Sequence, residues 1–198
     1  MKHAIVGKTV EVSPPSTNGV HSNLKVLYRL RSTSKNCSHR DINAMFIKHN
    51  FYDSYKNTKG NFANDFEQKV INNDKVITDY FTGLMWHESG SNDQLEWIKG
   101  VEWIGKLNTR EYAGYVDWRM PTVEEASSLL RQREISMPQF VDSVFSCLQE
   151  SIWTCDSYEV SLDWNKLDVA WFVDYADGYL STHYTCCGHY IRPVRSCK

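Results

Sequence analysis

The sequence predicts an α+β fold, and two observations carry that reading. Capping signals and helically spaced apolar residues mark several segments of the first two-thirds of the chain, whereas the last third is a series of aromatic and β-branched runs broken by turn residues. With no internal repeat or low-complexity tract in 198 residues of 41% hydrophobic content, the chain suits a single domain with its own core. Residues 1–24 include the Ser-, Pro-, Asn- and Gly-rich stretch "EVSPPSTNGVHSN", which reads as an arm or linker, and the expected domain runs from 25 to 198.

The elements follow in order. In "SHRDINAMFIKHN", Ser38 stands as a helix cap with Asp41 three residues on, and Ile42, Met45 and Phe46 recur at helical spacing. "VINNDKVITDYFTGLMWHES" alternates β-branched runs with the turn signals Asn72-Asn73-Asp74 and Thr82-Gly83, which predicts two short strands and a hairpin. "NDQLEWIKGVEWIGKLN" predicts a second helix whose apolar face is Leu95, Ile98, Val101, Ile104 and Leu107, widened by Trp97 and Trp103. "PTVEEASSLLRQRE" starts a third, with Thr122 and Glu125 as a capping box and Val123, Ala126, Leu129 and Leu130 buried. After Pro138 the pattern turns to strands. "SIWTCDS", "DVAWFVDYADG", "GYLSTHYT" and "HYIRPVRS" predict an antiparallel meander ending at the last of them.

Charge and cysteine usage exclude several function classes. Lys plus Arg number 22 against 24 Asp plus Glu, a net charge of −2, so no global field draws the protein to nucleic acid or an anionic membrane. No apolar stretch approaches the roughly 20 residues needed to cross a bilayer, and no signal-peptide pattern opens the chain, so a cytoplasmic location without membrane insertion is expected. Six cysteines without framework spacing, in a chain of this length, predict reduced thiols.

Five ordered segments carry a resemblance: "VITDYFTGLMWHESGS", "LNTREYAGYVDWRMPTVEEASSLL", "IWTCDS", "AWFVDYADG" and "YIRPVRS". They resemble the successive motifs of the Lcl C-terminal-like family. The stretch before them, lead-in residues 25–75, is similar to one that bacterial members carry, often behind a kinase or another signalling domain, so the resemblance implies an association with such a domain upstream. It also implies a C-type-lectin-like fold, a few amphipathic helices packed on short antiparallel sheets, akin to the formylglycine-generating enzyme and to the variable proteins of diversity-generating retroelements. Within the motifs, the residues read mostly as architecture. Gly114 permits a tight bend, Trp118 supplies core area, and Arg119 offers its fork of donors to nearby carbonyls or carboxylates. Trp86, Trp153 and Trp171 read as core, and Arg192 and Arg195 as partners of acids near Asp79 or Asp117.

Function turns on "DGYLSTHYTCCGHYIRPVR", and three chemistries compete for it. His183, Cys186, Cys187 and His189 have the ligand types of zinc, but adjacent cysteines seldom reach one tetrahedral ion together, and no C-x2-C pair is present. A formylglycine-type oxidase, which the resemblance raises, needs a second thiolate two residues before Arg192, where this chain has Tyr190. Asp156, Glu159, Asp163 and Asp168 lack the alternation of a calcium loop. No cofactor or metal is therefore expected, and no enzymatic activity. The third chemistry is recognition, because Tyr, Ser, Gly and His combine contact area with adaptable hydrogen bonds. The expected ligand-binding face is Tyr158, Trp164, Tyr179, Ser181, His183, Tyr184, Cys186, Cys187 and His189, engaging a protein or glycan. The resemblance adds that this is where retroelement-diversified members concentrate substitutions. The alternatives from other classes are the oxidase and a structural domain serving oligomer assembly.

Overall fold

The computed structural model describes residues 28–158 and 168–197. The expected arm at 1–24 and Trp164, Glu159 and Asp163 lie outside the described residues. The fold is α+β, and the described residues form three α-helices and two four-stranded sheets.

Strand β1 (Asn36–Cys37) leads into helix α1 (His39–His49). The capping box at its start is formed as expected: the Asp41 amide donates to the Ser38 hydroxyl, and the Asp41 carboxylate accepts from the Ser38 amide. Ile42, Met45 and Phe46 are buried against Trp86, Trp171 and Leu180. Three strands follow rather than two: β2 (Phe66–Ile71), β3 (Asp74–Asp79) and β4 (Leu84–His87), joined by tight turns. The first was missed because its "FEQK" start is polar and half-exposed, as befits an edge strand, and breaks the hydrophobic pattern.

Helix α2 spans Trp97–Thr109, and its buried residues are Gly100, Ile104 and Leu107. This corrects the expected apolar face. Leu95 precedes the helix in a bridge to His189, while Ile98 and Val101 are 54% and 41% exposed. The helix is turned so that glycine, with no side chain, faces the core, and a pattern that scores hydrophobicity cannot see a glycine as an inward position. A 3-10 turn at Tyr112–Gly114 follows, where Gly114 takes φ +79° and makes the tight bend expected of it. Helix α3 is only Val123–Ser127, yet its capping box is present, and Leu129 and Leu130 are buried in the turns beyond it. Those turns continue to residue 150, so the strands begin later than Pro138.

Strands β5 (Ser151–Tyr158), β6 (Val169–Asp174) and β7 (Tyr179–Tyr184) form the expected meander, with β1 parallel to β5 at its edge. The last strand, β8 (Val194–Ser196), departs from expectation by leaving that sheet to pair with β4. The segment before it bridges Tyr190 to Ile152 in the first sheet and Val194 to Arg119 beside the second.

The β1-β5-β6-β7 sheet is apolar on both faces. One face packs Ile152, Trp171, Val173 and Leu180 against α1, and the other packs Trp153, Ala170 and Phe172 with Ile104, Leu107 and Ile191. Trp86, Trp153 and Trp171 are each fully buried and Trp118 nearly so, as their architectural reading required. Arg119 makes a bidentate pair with Glu125 at 2.6 and 2.7 Å, tying the bend to the α3 cap.

Candidate functional site

Alternation along β7 decides which expected site residues share a surface. Successive side chains point to opposite faces, so Tyr179, Ser181 and His183 lie on one side with Phe172, while Thr182 and Tyr184 lie on the other with Trp171. Tyr158, which packs edge-on against Trp171, belongs to that second side. The structure thus divides the expected face into two groups.

The first group is built around a hydrogen-bonded chain of three side chains. The Ser151 hydroxyl lies 2.7 Å from Nδ1 of His189, and Nε2 of His189 lies 3.0 Å from Nδ1 of His183. His189 stacks on Phe172 at 4.1 Å between ring centroids and meets Trp153 edge-on. It is buried, which corrects its placement on a solvent-facing surface: an imidazole whose two nitrogens are both partnered can leave water, and the sequence shows no partners. Burial and the neighbouring His183 hold its pKa down to about 4, so it is neutral at pH 7. His183 is exposed, Tyr179 is half-buried against Phe172, and the exposed Tyr55 meets Tyr179 edge-on.

Of the second group, Tyr158 borders a cleft of about 690 Å³ at the edge of the sheet. Its walls come from the start of α2 (Glu96, Trp97, Ile98), the edge strand (Asn36), the end of β5 (Cys155 to Tyr158), the start of β6 (Asp168 to Ala170) and the turn after β7 (Thr185, Cys186). Of the expected residues it gathers Tyr158 and Cys186. Trp97 is held by its indole N–H, which donates to the Thr154 carbonyl at 2.9 Å, so one edge is fixed while the ring remains half-exposed. Its amide donates to the Thr185 carbonyl, anchoring the turn to the helix start. Sequence reasoning placed Trp97 only on a helix face. The signal it carried was position: it is the first residue of the helix, preceded by an acid.

Asp156 on the cleft floor is fully buried. It accepts two bonds from the Arg31 guanidinium at 2.7 and 2.8 Å, one from the Lys35 amide at 2.6 Å and one from the Val123 amide at 2.7 Å. This carboxylate therefore fastens the lead-in to α3 and β5. Cys155 beside it is pushed up to about 12, first by burial and then by the charges of Asp156 and Glu125, and stays a thiol at neutral pH. All six cysteines are free. Among the described residues no three His, Cys, Asp or Glu side chains are placed to hold one metal ion.

Of the two late arginines, Arg195 meets its expected acid, Asp117, with Nε at 2.6 Å. Arg192 does not. Fully buried, it donates to the Ser89 and Ser146 carbonyls and to Gln149, lies over Phe145 and Tyr175, and has no carboxylate in contact. Charge matching along the sequence cannot foresee a guanidinium held by neutral oxygens and aromatic rings, with Nη1 left without a hydrogen-bond partner among the described residues. No helix among the described residues is long and apolar enough to cross a membrane.

No curated protein and no solved structure matches this chain. The family model described as the Lcl C-terminal domain matches residues 75–195, from the start of β3 into β8 and through every cleft wall except Asn36. That match covers more than half of the chain, which therefore belongs to the Lcl C-terminal domain family.

Proposed function

We propose that this chain is a recognition module of C-type-lectin-like type, and that the cleft between α2 and the ends of β5 and β6 holds its ligand, a segment of a protein or a glycan. The observation that carries the reading is the cleft itself. Its volume of about 690 Å³ falls in the range of ligand sites, about 300–1,000 Å³, and it combines half-exposed Trp97 and Tyr158 with the small polar groups of Asn36, Ser157 and Thr185. Binding is favoured over chemistry by the state of its one half-buried nucleophile: Cys155 is a neutral thiol, and a thiol without its proton removed is a poor nucleophile. The oxidase alternative needs a second cysteine where Tyr190 stands, and Tyr190 is fixed there through its backbone bonds to Ser151 and Trp153.

A diversified surface fits β7, whose residues Ser181 and His183 on one face and Tyr184 on the other are partly or fully exposed on a hydrogen-bonded strand that needs none of their side chains for its ladder. The coding neighbourhood tests that part, through a reverse transcriptase gene beside a near-copy of the segment for residues 150–195. The binding reading is tested by screening peptide and glycan arrays with wild type and Tyr158→Ala. A hit that Tyr158→Ala weakens by about 1 to 3 kcal/mol supports the cleft, and hits that ignore Tyr158→Ala place recognition elsewhere.

A further inference from the structure

Charge on the cleft walls narrows the ligand. Among the described residues, none that lines it is Lys, Arg or His, while three are acids: Glu96, Asp156 and Asp168. Asp156 is already neutralised by Arg31. Glu96 and Asp168 are different, for both are exposed and neither makes a side-chain hydrogen bond or ion pair with a described residue. Glu96 occupies the N-cap of α2 without capping it, so its carboxylate is uncommitted. Between these acids stand aromatic and aliphatic surfaces: Trp97, Tyr158, Ile98 and Val169. Two carboxylates without a partner among the described residues, beside half-exposed ring faces, attract one class of group, an organic cation, through Coulombic attraction and through the ring quadrupole.

We infer that the cleft takes the ammonium or guanidinium group of a Lys or Arg side chain from a peptide or protein partner. This rests on the recognition reading above and deepens it. A Lys or Arg side chain matches the whole lining, since its aliphatic stem covers the apolar walls while its head reaches the acids. A sugar has no such stem. Its hydroxyls would leave Glu96 and Asp168 without a counter-charge.

The test uses the 198-residue chain and three soluble probes: the tripeptide amide acetyl-Gly-Arg-Gly, the same peptide with citrulline in place of arginine, and N-acetylglucosamine. Citrulline keeps the shape of arginine and removes its charge. Binding is read from the indole N–H resonance of Trp97, which reports on the cleft through its bond to Thr154. The arginine peptide is expected to shift this resonance in a saturable way, with an affinity at least tenfold above that of the citrulline peptide and of N-acetylglucosamine. Glu96→Gln combined with Asp168→Asn is expected to abolish the tenfold preference while leaving the thermal midpoint unchanged, because neither carboxylate holds the fold together. Equal binding of the arginine and citrulline peptides overturns the inference and leaves a cleft that recognises shape. Preference for N-acetylglucosamine, which carries no charge, overturns it in favour of a glycan. A Trp97 resonance that none of the probes moves overturns both the inference and the recognition reading of the cleft.

Discussion

Nε2 of His189 and Nδ1 of His183 lie 3.0 Å apart, one ring buried and the other exposed, so a single shared proton links the interior to the surface. Both rings cannot be charged at that distance without repulsion. His189 is held near 4 by burial and by His183, and His87, stacked on Tyr112, is also held near 4, chiefly by burial and then by Arg110 and Arg192. Their folded values lie below the ordinary value of 6.5, so the unfolded chain binds more protons between pH 4 and 6.5. The stability these neutral rings provide is present above about pH 6.5 and is lost as pH falls towards 4. Each contributes about 2 to 3 kcal/mol to that slope. Thermal midpoints measured from pH 7 to 4.5 should fall steeply for wild type and less steeply for His189→Gln. Parallel curves would show that His189 does not titrate in this window.

Asp156 supports a second prediction. Asp156→Ala strands the Arg31 guanidinium and removes the acceptor of two amides, and breaking a buried pair in this way costs about 3–5 kcal/mol. Urea unfolding should register that loss. A change below about 1 kcal/mol would mean that water replaces the carboxylate without penalty.

Two glycines of α2 should respond to alanine with opposite signs. At Gly105 nothing lies within 4 Å of an added Cβ, so Gly105→Ala is expected to stabilise by about 0.5–1 kcal/mol through helix propensity. At Gly100 the added Cβ would meet Ile191 Cδ1 at 2.3 Å and Met120 Cε at 2.8 Å. Both of those side chains are buried, so Gly100→Ala should destabilise by about 1–3 kcal/mol despite the same propensity gain. Chemical denaturation of the two variants side by side decides it; a stabilised Gly100→Ala would refute the packing assigned to α2.

On β7, Ser181→Ala and Tyr184→Ala should each change stability by no more than about 0.5 kcal/mol, since their side chains are half or fully exposed, whereas His183→Ala should cost about 1–3 kcal/mol because it leaves Nε2 of buried His189 without its partner. Trp118→Ala, which removes a ring 2% exposed and tied by its indole N–H to the Tyr112 carbonyl, should cost about 3–5 kcal/mol. A Tyr184→Ala loss comparable to that of Trp118→Ala would remove Tyr184 from the exposed surface.

Local signals in the sequence proved the most legible. Both capping boxes stand at the predicted residues, because a cap is a short-range contract between positions three apart. Trp86, Trp118, Trp153 and Trp171 stand in the core as expected, because large rings rarely find enough partners elsewhere. What escaped depends on partners distant in the chain. The burial of His189 is made possible by Ser151 and Phe172, that of Asp156 by Arg31 and Val123, and that of Arg192 by carbonyls of the 89 and 146 loops. The candidate site was half legible. Residue types suited to recognition were visible in the late strands, but the alternation that separates Tyr179 and His183 from Tyr158 and Tyr184 was not applied to them, and Trp97, Glu96 and Asp168 meet the cleft only through tertiary placement.

The stitching of both sheets by residues 189–196 has a consequence for synthesis. Leu95, Ser91, Ile152, Arg119 and β4 all wait for backbone partners that the ribosome adds well after them. Helix α1 and the β2-β3-β4 ladder can form as they emerge, but the gap beside β4 stays open, with unpaired amides on display, until residues 189–196 have themselves emerged. At an elongation rate of about 5–20 residues per second this leaves seconds during which the half-made protein is vulnerable to misassociation with its neighbours on a polysome.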